Sequence, residues 1–315
     1  MGYRTDCTSQ VFFQSNIDSL GSYDRYVFHR PIMTPNIVDF LSDNYKSNKI
    51  IADFDDLNFR VEYAADTPAV QCRGEEVVKV RKSLSQIAGA AGCFDQFSSS
   101  TVPLSDHVKI KFSPNNSQVI YNAVDPGFAG ICSQVYEALK GKKRQYKFAY
   151  FPGTASHNPD LAMIENALAQ ALQDDSKAKL LLAGPIAIPK RLQPYSAQIR
   201  KVDYVSFHEL PKLMATAEAV LAPLVDNAFS DCKSGLKFFE AALVGCRVIA
   251  SPIPDIDKFE SPLLIKCRSE MQWYEAFSMS GLGMSQSVLN DAVNAVKEQT
   301  CISIQAKSWV NGFLN

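Results

Sequence analysis

The sequence predicts an α/β protein made of two Rossmann-like domains facing across a cleft, with the first domain reduced. Three observations carry this. From Lys147 onward, short continuous apolar runs alternate with segments of helical periodicity, the signature of a parallel sheet covered on both faces. The half before it repeats the alternation more sparsely, with about four apolar runs. The chain has 315 residues, 46% of them hydrophobic, which suits about two domains with real cores.

In the first half, strands are expected within 23–31 (YDRYVFHRP), 49–59 (KIIADFDDLNF), 93–101 (CFDQFSSST) and 118–125 (QVIYNAVD), with helices at 34–45, 75–90 and 102–110. The stretch 126–146, carrying GKKRQ, reads as the crossing between domains. The second half offers strands at 147–151, 179–184, 202–207 and 219–224, then VIAS and LLIKC, with helices at 158–172 and 210–218. KFFEAAL has helical spacing and Gly245 stands where it can stop that helix. The resulting division is 1–140, 141–285 and a terminal helical segment 286–315 that returns to brace the first domain.

Composition excludes several classes. With 32 basic and 33 acidic residues the formal charge is −1, so the chain lacks the basic surplus of a nucleic-acid binder. The eight cysteines form no CxxC pair and no zinc-finger spacing with His. They read as reduced core residues of a cytoplasmic protein. The opening MGYRTDCTSQ has no apolar core of a leader peptide, and no apolar run approaches the ~18 residues of a membrane span.

In an open parallel sheet, ligands collect beyond the carboxyl ends of the strands. The tails expected there in the second half hold Gly153, Thr154, Ser156, His157, His208, Glu209, Lys233 and Ser234. The stretch FSDCKSGLKFFEAALVGC (229–246) raises the sharpest question. If Ser230 or Asp231 caps its helix, Lys233 and Ser234 fall in the first turn, where a Lys works against the helix dipole. A bound phosphate would justify that placement; a lysine reaching into solvent is the plainer alternative. Glu240 follows Lys233 by seven residues, so both can share one side of a helix, where a carboxylate suits the hydroxyls of a ribose. An exposed helix Glu is the commoner case. For His157 and His208, loop histidines past strand ends, a structural role competes with a functional one. In the first half, Asp53, Asp55 and Asp56 crowd one strand end. Three carboxylates there are expected to raise at least one pKa, which would suit a general base. His29 and Arg30 end another strand, and SSST (98–101) a third. No metal-ligand spacing accompanies them.

The blocks VFHRP, IIADFDDLNF, SSST, YNAVD, YFPGTASHNPDL, LLLAGP, LPKLMATAEAVLAPL and NAFSDCKSGLKFFEAALVGCRVIASP resemble, in order, those of glycosyltransferases of the GT-B architecture, in the style of "glycosyl transferases group 1" and the bacterial surface-polysaccharide enzymes. That resemblance implies a nucleotide-sugar donor held by the second domain and a glycan or lipid-linked acceptor presented by the first. Lys233 and Ser234 would meet the donor phosphates, Gly153, Thr154 and His157 would lie near the phosphates or the sugar, and Lys237 would also bind the donor. Glu240 would meet the ribose, and the loop with His208 and Glu209 would flank the base. Asp55 or Asp56 would assist the acceptor hydroxyl, with His157 a further catalytic candidate and Arg30 and Ser100 on the acceptor side. It implies no cofactor and no metal, and a cytoplasmic setting open to the inner membrane face and to other glycosyltransferase modules. A sugar-nucleotide epimerase or hydrolase of the same fold, or a non-catalytic partner subunit, are the alternatives. Retaining members usually carry a Glu eight residues before the helix Glu; that place holds Cys232.

Overall fold

The computed structural model describes residues 3–19, 23–279 and 283–314, apart from a few side chains that include Ser156. Two parallel sheets organise the chain. The first has four strands in sequential order, β1 (Tyr26–His29), β2 (Ile50–Phe54), β3 (Gln96–Ser99) and β4 (Asn116–Val119). Its helices are α1 (Gln10–Asn16), α2 (Val38–Asp43), α3 (Pro68–Arg73), α4 (Val77–Ala91) and α5 (Val102–Phe112).

A sequential order means that every crossover steps the same way, and right-handed crossovers then set their helices on one face. Phe28, Ile50, Ala52, Phe54 and Phe97 point to that face and share a core with Leu41 of α2, Ile87 of α4 and Leu104 of α5. The residues that alternate with them face the other way, and most are polar: His29, Asp53, Gln96, Ser98, Asn116 and Gln118.

The second sheet runs β10-β9-β8-β5-β6-β7. Its strands are β5 (Tyr146–Tyr150), β6 (Leu180–Ala183), β7 (Ile199–Val202), β8 (Ala217–Ala222), β9 (Arg247–Ala250) and β10 (Leu264–Lys266). The order reverses between β5 and β8, so this sheet has the topological switch point that the first lacks. All four residues of β6 are buried, as a strand covered on both faces requires. Its helices are α6 (Pro126–Leu139), α7 (Asn158–Met163), α8 (Glu165–Asp174), α9 (Leu210–Met214), α10 (Ala228–Asp231), α11 (Leu236–Ala242), α12 (Pro254–Asp257), α13 (Glu270–Ser278) and α14 (Gln286–Gln299).

Several elements differ from expectation. The strand expected at 202–207 lies upstream, at Ile199–Val202, and Tyr204 and Phe207 are exposed. The helix expected over 158–172 is two, broken at Ile164, whose ψ of 5° leaves the helical range. The strand expected in 118–125 is mostly earlier, at Asn116–Val119. Helix α6 contributes Phe128, Cys132 and Val135 to the core of the second sheet, although it falls wholly within 1–140. The terminal segment divides: Leu289, Val293 and Val296 of α14 join that same core, and only α15 (Ile302–Phe313) returns to the first sheet. There the Asn116 amide donates to Gly312 O at 2.8 Å, and Tyr121 N donates to Gln305 Oε1 at 3.0 Å.

Candidate active site

The switch point is where two loops of the second sheet diverge. The loop after β5 is Phe151–Pro152–Gly153, and the loop after β8 is Pro223–Leu224. Gly184 keeps the neighbouring β6 loop close: its φ is +118°, and a Cβ there would stand 2.7 Å from Pro152 O. With the 233–238 segment, these loops enclose a cavity of about 310 Å³, closed on the far side by Asp55, Asp56 and Asn122 of the first domain. A Cβ on Gly153 would meet nothing within 4 Å, so space for a ligand lies beside that backbone.

His157 lines the cavity and its ring is fixed. Nδ1 lies 2.8 Å from Asp160 Oδ2, while Asp160 Oδ1 accepts from Val225 N at 2.9 Å. The buried Asp160 thereby ties the β5 loop to the β8 loop. The Tyr150 hydroxyl donates to His157 O at 3.2 Å.

The segment 228–242 corrects the expectation about the helix mouth. Asn227, not Ser230 or Asp231, caps the short α10, accepting from Ser230 N at 2.9 Å. The chain turns before α11 begins at Leu236, so Lys233 and Ser234 sit in the connection and not in a first helical turn. The cause is the other domain: Phe229 and Cys232 belong to the first sheet's core, and Thr101 Oγ1 donates to Cys232 O at 2.9 Å. The mouth is also partnered. Gly235 N donates to the buried Asp255 at 2.7 Å, and Asn122 Nδ2 to Ser234 Oγ at 2.8 Å. The Lys233 ammonium is 2.7 Å from Asp56 Oδ1 across the cleft. Lys237 lines the cavity and donates to Glu240 Oε2 at 3.1 Å; Glu240 is buried and is not itself a lining residue. Gly245 has φ +72° and stands after the end of α11, as its sequence position suggests.

The acidic strand end differs from expectation too. Asp55 and Asp56 share the Arg30 cation, and Asp53 pairs with the His29 ring at 2.8 Å. Arg30 grips Asp55 through Nε at 2.6 Å and Nη2 at 2.7 Å, and its Nη2 reaches Asp56 at 3.1 Å. Burial pushes the Asp55 carboxyl up, but the Arg30 fork and its charge outweigh that and hold it below its ordinary value. The expected rise is therefore reversed at Asp55. Ser100 is buried, with Oγ 3.5 Å from Asp55 O. Cys232 is buried as well, and burial pushes its thiol up to about 12.

Thr154 is exposed beside Gly153. His208 and Glu209 are outside the cavity, on the exposed loop after β7; there Glu209 accepts from Ser206 Oγ at 3.0 Å and Phe207 stacks on Phe128 of α6. Three residues that matter were not singled out by sequence: Asp160, Asp255 and Asn122. The first two follow a Pro at the start of a helix, in NPD and PIPD, a first-turn position where an acidic side chain is favoured. Among the described residues, no group of three His, Cys, Asp or Glu side chains is arranged to hold a metal ion. Nor is any helix among them long and apolar enough to cross a membrane.

Comparison with known structures defines the class first. The chain is similar to WaaG, a glycosyltransferase involved in lipopolysaccharide biosynthesis, with a TM-score of 0.58 and 13% identity over 90% of this chain and 85% of that one. It is similar to the UDP-forming α,α-trehalose-phosphate synthase of Burkholderia xenovorans in complex with glucose-6-phosphate, with a TM-score of 0.63 and 12% identity over 95% and 75%. It is also similar to HepE of Anabaena in complex with UDP, with a TM-score of 0.56 and 11% identity over 88% and 81%. Such identities speak for the fold, which is GT-B: two Rossmann-like domains across a cleft. Comparison with curated protein sequences gives no match. Residues 148–279, from within β5 to just beyond α13, match the family described as "Glycosyl transferases group 1". Over that stretch the chain is similar to group 1 glycosyltransferases, a class of enzymes that move glycosyl groups.

Proposed function

We propose that the protein transfers a sugar from a nucleotide-sugar donor to a glycan or lipid-linked acceptor during polysaccharide assembly. The observation that carries the reading is the cavity at the β5/β8 switch point, inside the matched domain and walled by the first domain's acidic strand end. Its size falls at the small end of ligand sites, and its contents suit a nucleoside phosphate. Lys233 is a half-buried cation at its rim, Gly153 leaves open space beside the backbone, and His157 is held in place by Asp160. A donor phosphate takes Lys233 from Asp56 and rests near Gly153, Thr154 and Ser234. Lys237 and Glu240 serve the ribose side, and the 207–209 loop serves the base. Leaving-group charge is met by these fixed cations and dipoles, with no cofactor. Arg30, Ser100, Asp55 and Asp56 face the acceptor. Work at the inner membrane face, beside other glycosyltransferase modules, fits an acceptor carried on lipid.

The test is product analysis. The protein is incubated with UDP-, GDP- and dTDP-linked hexoses and a CMP-linked acidic sugar, with and without oligosaccharide and lipid-linked acceptors. Acceptor-dependent nucleotide release is the expected result. Free sugar or an isomerised donor without acceptor would assign a hydrolase or epimerase instead.

A further inference from the structure

We infer that the groove between α8, α13 and the segment Lys190–Gln198 is a second glycan site, taking a stretch of acidic oligosaccharide away from the switch-point cavity; naming that stretch as part of the growing acceptor rests on the glycosyl-transfer reading above.

The groove lies wholly in the second domain and shares no lining residue with the cavity at the switch point. It holds about 780 Å³, against about 310 Å³ for that cavity, and this is well within the size of ligand sites. Helix α8 packs against both α13 and Lys190–Gln198, so it forms the floor and they form the walls. Segments that return from parallel strands begin at the strands' carboxyl edge. Asn166, Lys190 and Glu270 lie in the first turns of their segments. One end of the groove therefore opens at the same sheet edge as the cavity.

The floor is a row of amides. Asn166, Gln170 and Gln173 recur at helical spacing and form one exposed stripe along α8. A planar amide offers a donor and an acceptor together, which suits the neighbouring hydroxyls of a sugar ring. Gln170 Nε2 donates to Asp174 Oδ1 at 2.8 Å, and the Tyr195 hydroxyl donates to Gln173 Oε1 at 3.3 Å. The other ends, Gln170 Oε1 and Gln173 Nε2, have no partner among the described residues. Successive turns thus present an acceptor and then a donor.

Each wall supplies a tyrosine. Tyr195 and Tyr274 pack on the core of the second sheet and also line the groove. The Tyr274 hydroxyl donates to Asp174 Oδ2 at 2.8 Å, so one carboxylate ties α13 to the amide stripe. Both rings are held before a ligand arrives. Each offers an apolar platform with a polar tip, on which the C–H face of a sugar ring stacks.

Charge sets the class of glycan. Lys190 and Arg191 are exposed on one wall, with no carboxylate at ion-pair distance among the described residues. Glu270 on the other wall is the only lining carboxylate. A neutral sugar needs only the amides and rings; two uncompensated cations favour one that carries carboxylate or phosphate groups. The walls are helical, with no open strand for a peptide backbone to pair with.

Calorimetry on the full chain tests the site with an oligogalacturonate, a phosphorylated maltooligosaccharide and the unmodified maltooligosaccharide. The proteins are wild type, Lys190→Ala/Arg191→Ala, Gln170→Ala and Tyr195→Leu. Wild type should bind at least one acidic probe more tightly than the neutral one. The double variant should bind that probe about 10-fold more weakly and lose most of the salt dependence. Gln170→Ala and Tyr195→Leu should each weaken it about threefold to 10-fold. UDP, GDP, dTDP or CMP affinity should not change in any variant, which reports an intact fold. In transfer assays, KM for long acidic acceptors should rise in the variants, while kcat and KM for short acceptors stay as in wild type. The inference is overturned if wild type binds neither acidic probe, if the neutral chain binds as tightly as the acidic ones, or if the double variant binds like wild type. Tighter binding of oligoglutamate than of either acidic glycan would overturn it in favour of a peptide. Wild type that binds an acidic probe as described but turns over no donor supports the site and overturns the glycosyl-transfer reading alone.

Discussion

Two histidines on opposite sides of the cleft make the same bond and differ in everything around it. His29 and His157 each hold a carboxylate at 2.8 Å through Nδ1. Asp160 is buried, and its second oxygen is spent on the backbone of another loop. Asp53 is partly exposed, and its second oxygen takes a serine hydroxyl on the neighbouring strand. The first pair is a staple between two switch-point loops. The second is a strand-end pair that leaves a nitrogen open. The pair itself says little about role; the partner of the far carboxylate oxygen says much more.

Removing each carboxylate should expose that difference. Asp160→Ala leaves Val225 N–H without its acceptor and frees His157, and should cost about 3 kcal/mol of stability, read by urea unfolding. Gly184→Ala, which strains the loop beside the staple through its φ and the approach to Pro152 O, should cost about 2 kcal/mol. Both changes should also weaken nucleotide binding, because they loosen the cavity wall.

Asp53→Asn should have a smaller effect, one that depends on pH. A His pKa raised in the folded state adds stability that is fully present below the unfolded value of 6.5, lost as pH rises through the folded pKa. The gap in Tm between wild type and variant should therefore be wider at pH 6 than at pH 9. A gap that widens toward pH 9 would break the comparison. The Arg30–Asp55 fork has the opposite sign. Its depressed carboxyl adds stability above the unfolded value of 3.8, lost as pH falls through the lower folded pKa. Arg30→Gln should thus cost stability at pH 6 and progressively less below pH 3.8.

The second sheet was largely legible because its strands are buried on both faces and read as unbroken apolar runs, as in KFAYF and LLLAG. β7 was not, since IRKV is an edge strand with exposed Arg200 and Lys201, while the more apolar VDYVSF is mostly loop. The break between α10 and α11 was invisible for another reason. Helical spacing is local, whereas Phe229 and Cys232 turn toward a core built from residues more than a hundred positions earlier. The same distance hid the partners of Lys233 and Ser234. The crowding of acidic residues after β2 was plain in DFDD, but its sign was misread. Arg30 comes from a different strand, and no spacing rule links the two.

The claim on which the account turns is that Lys233 meets a donor phosphate at the switch point. Calorimetry of UDP, GDP, dTDP and CMP against wild type and Lys233→Ala tests it most directly. At least one nucleotide should bind wild type, and the variant should bind it about 10- to 100-fold more weakly, the worth of one charge-assisted contact. Equal affinity in the two proteins would contradict the assignment.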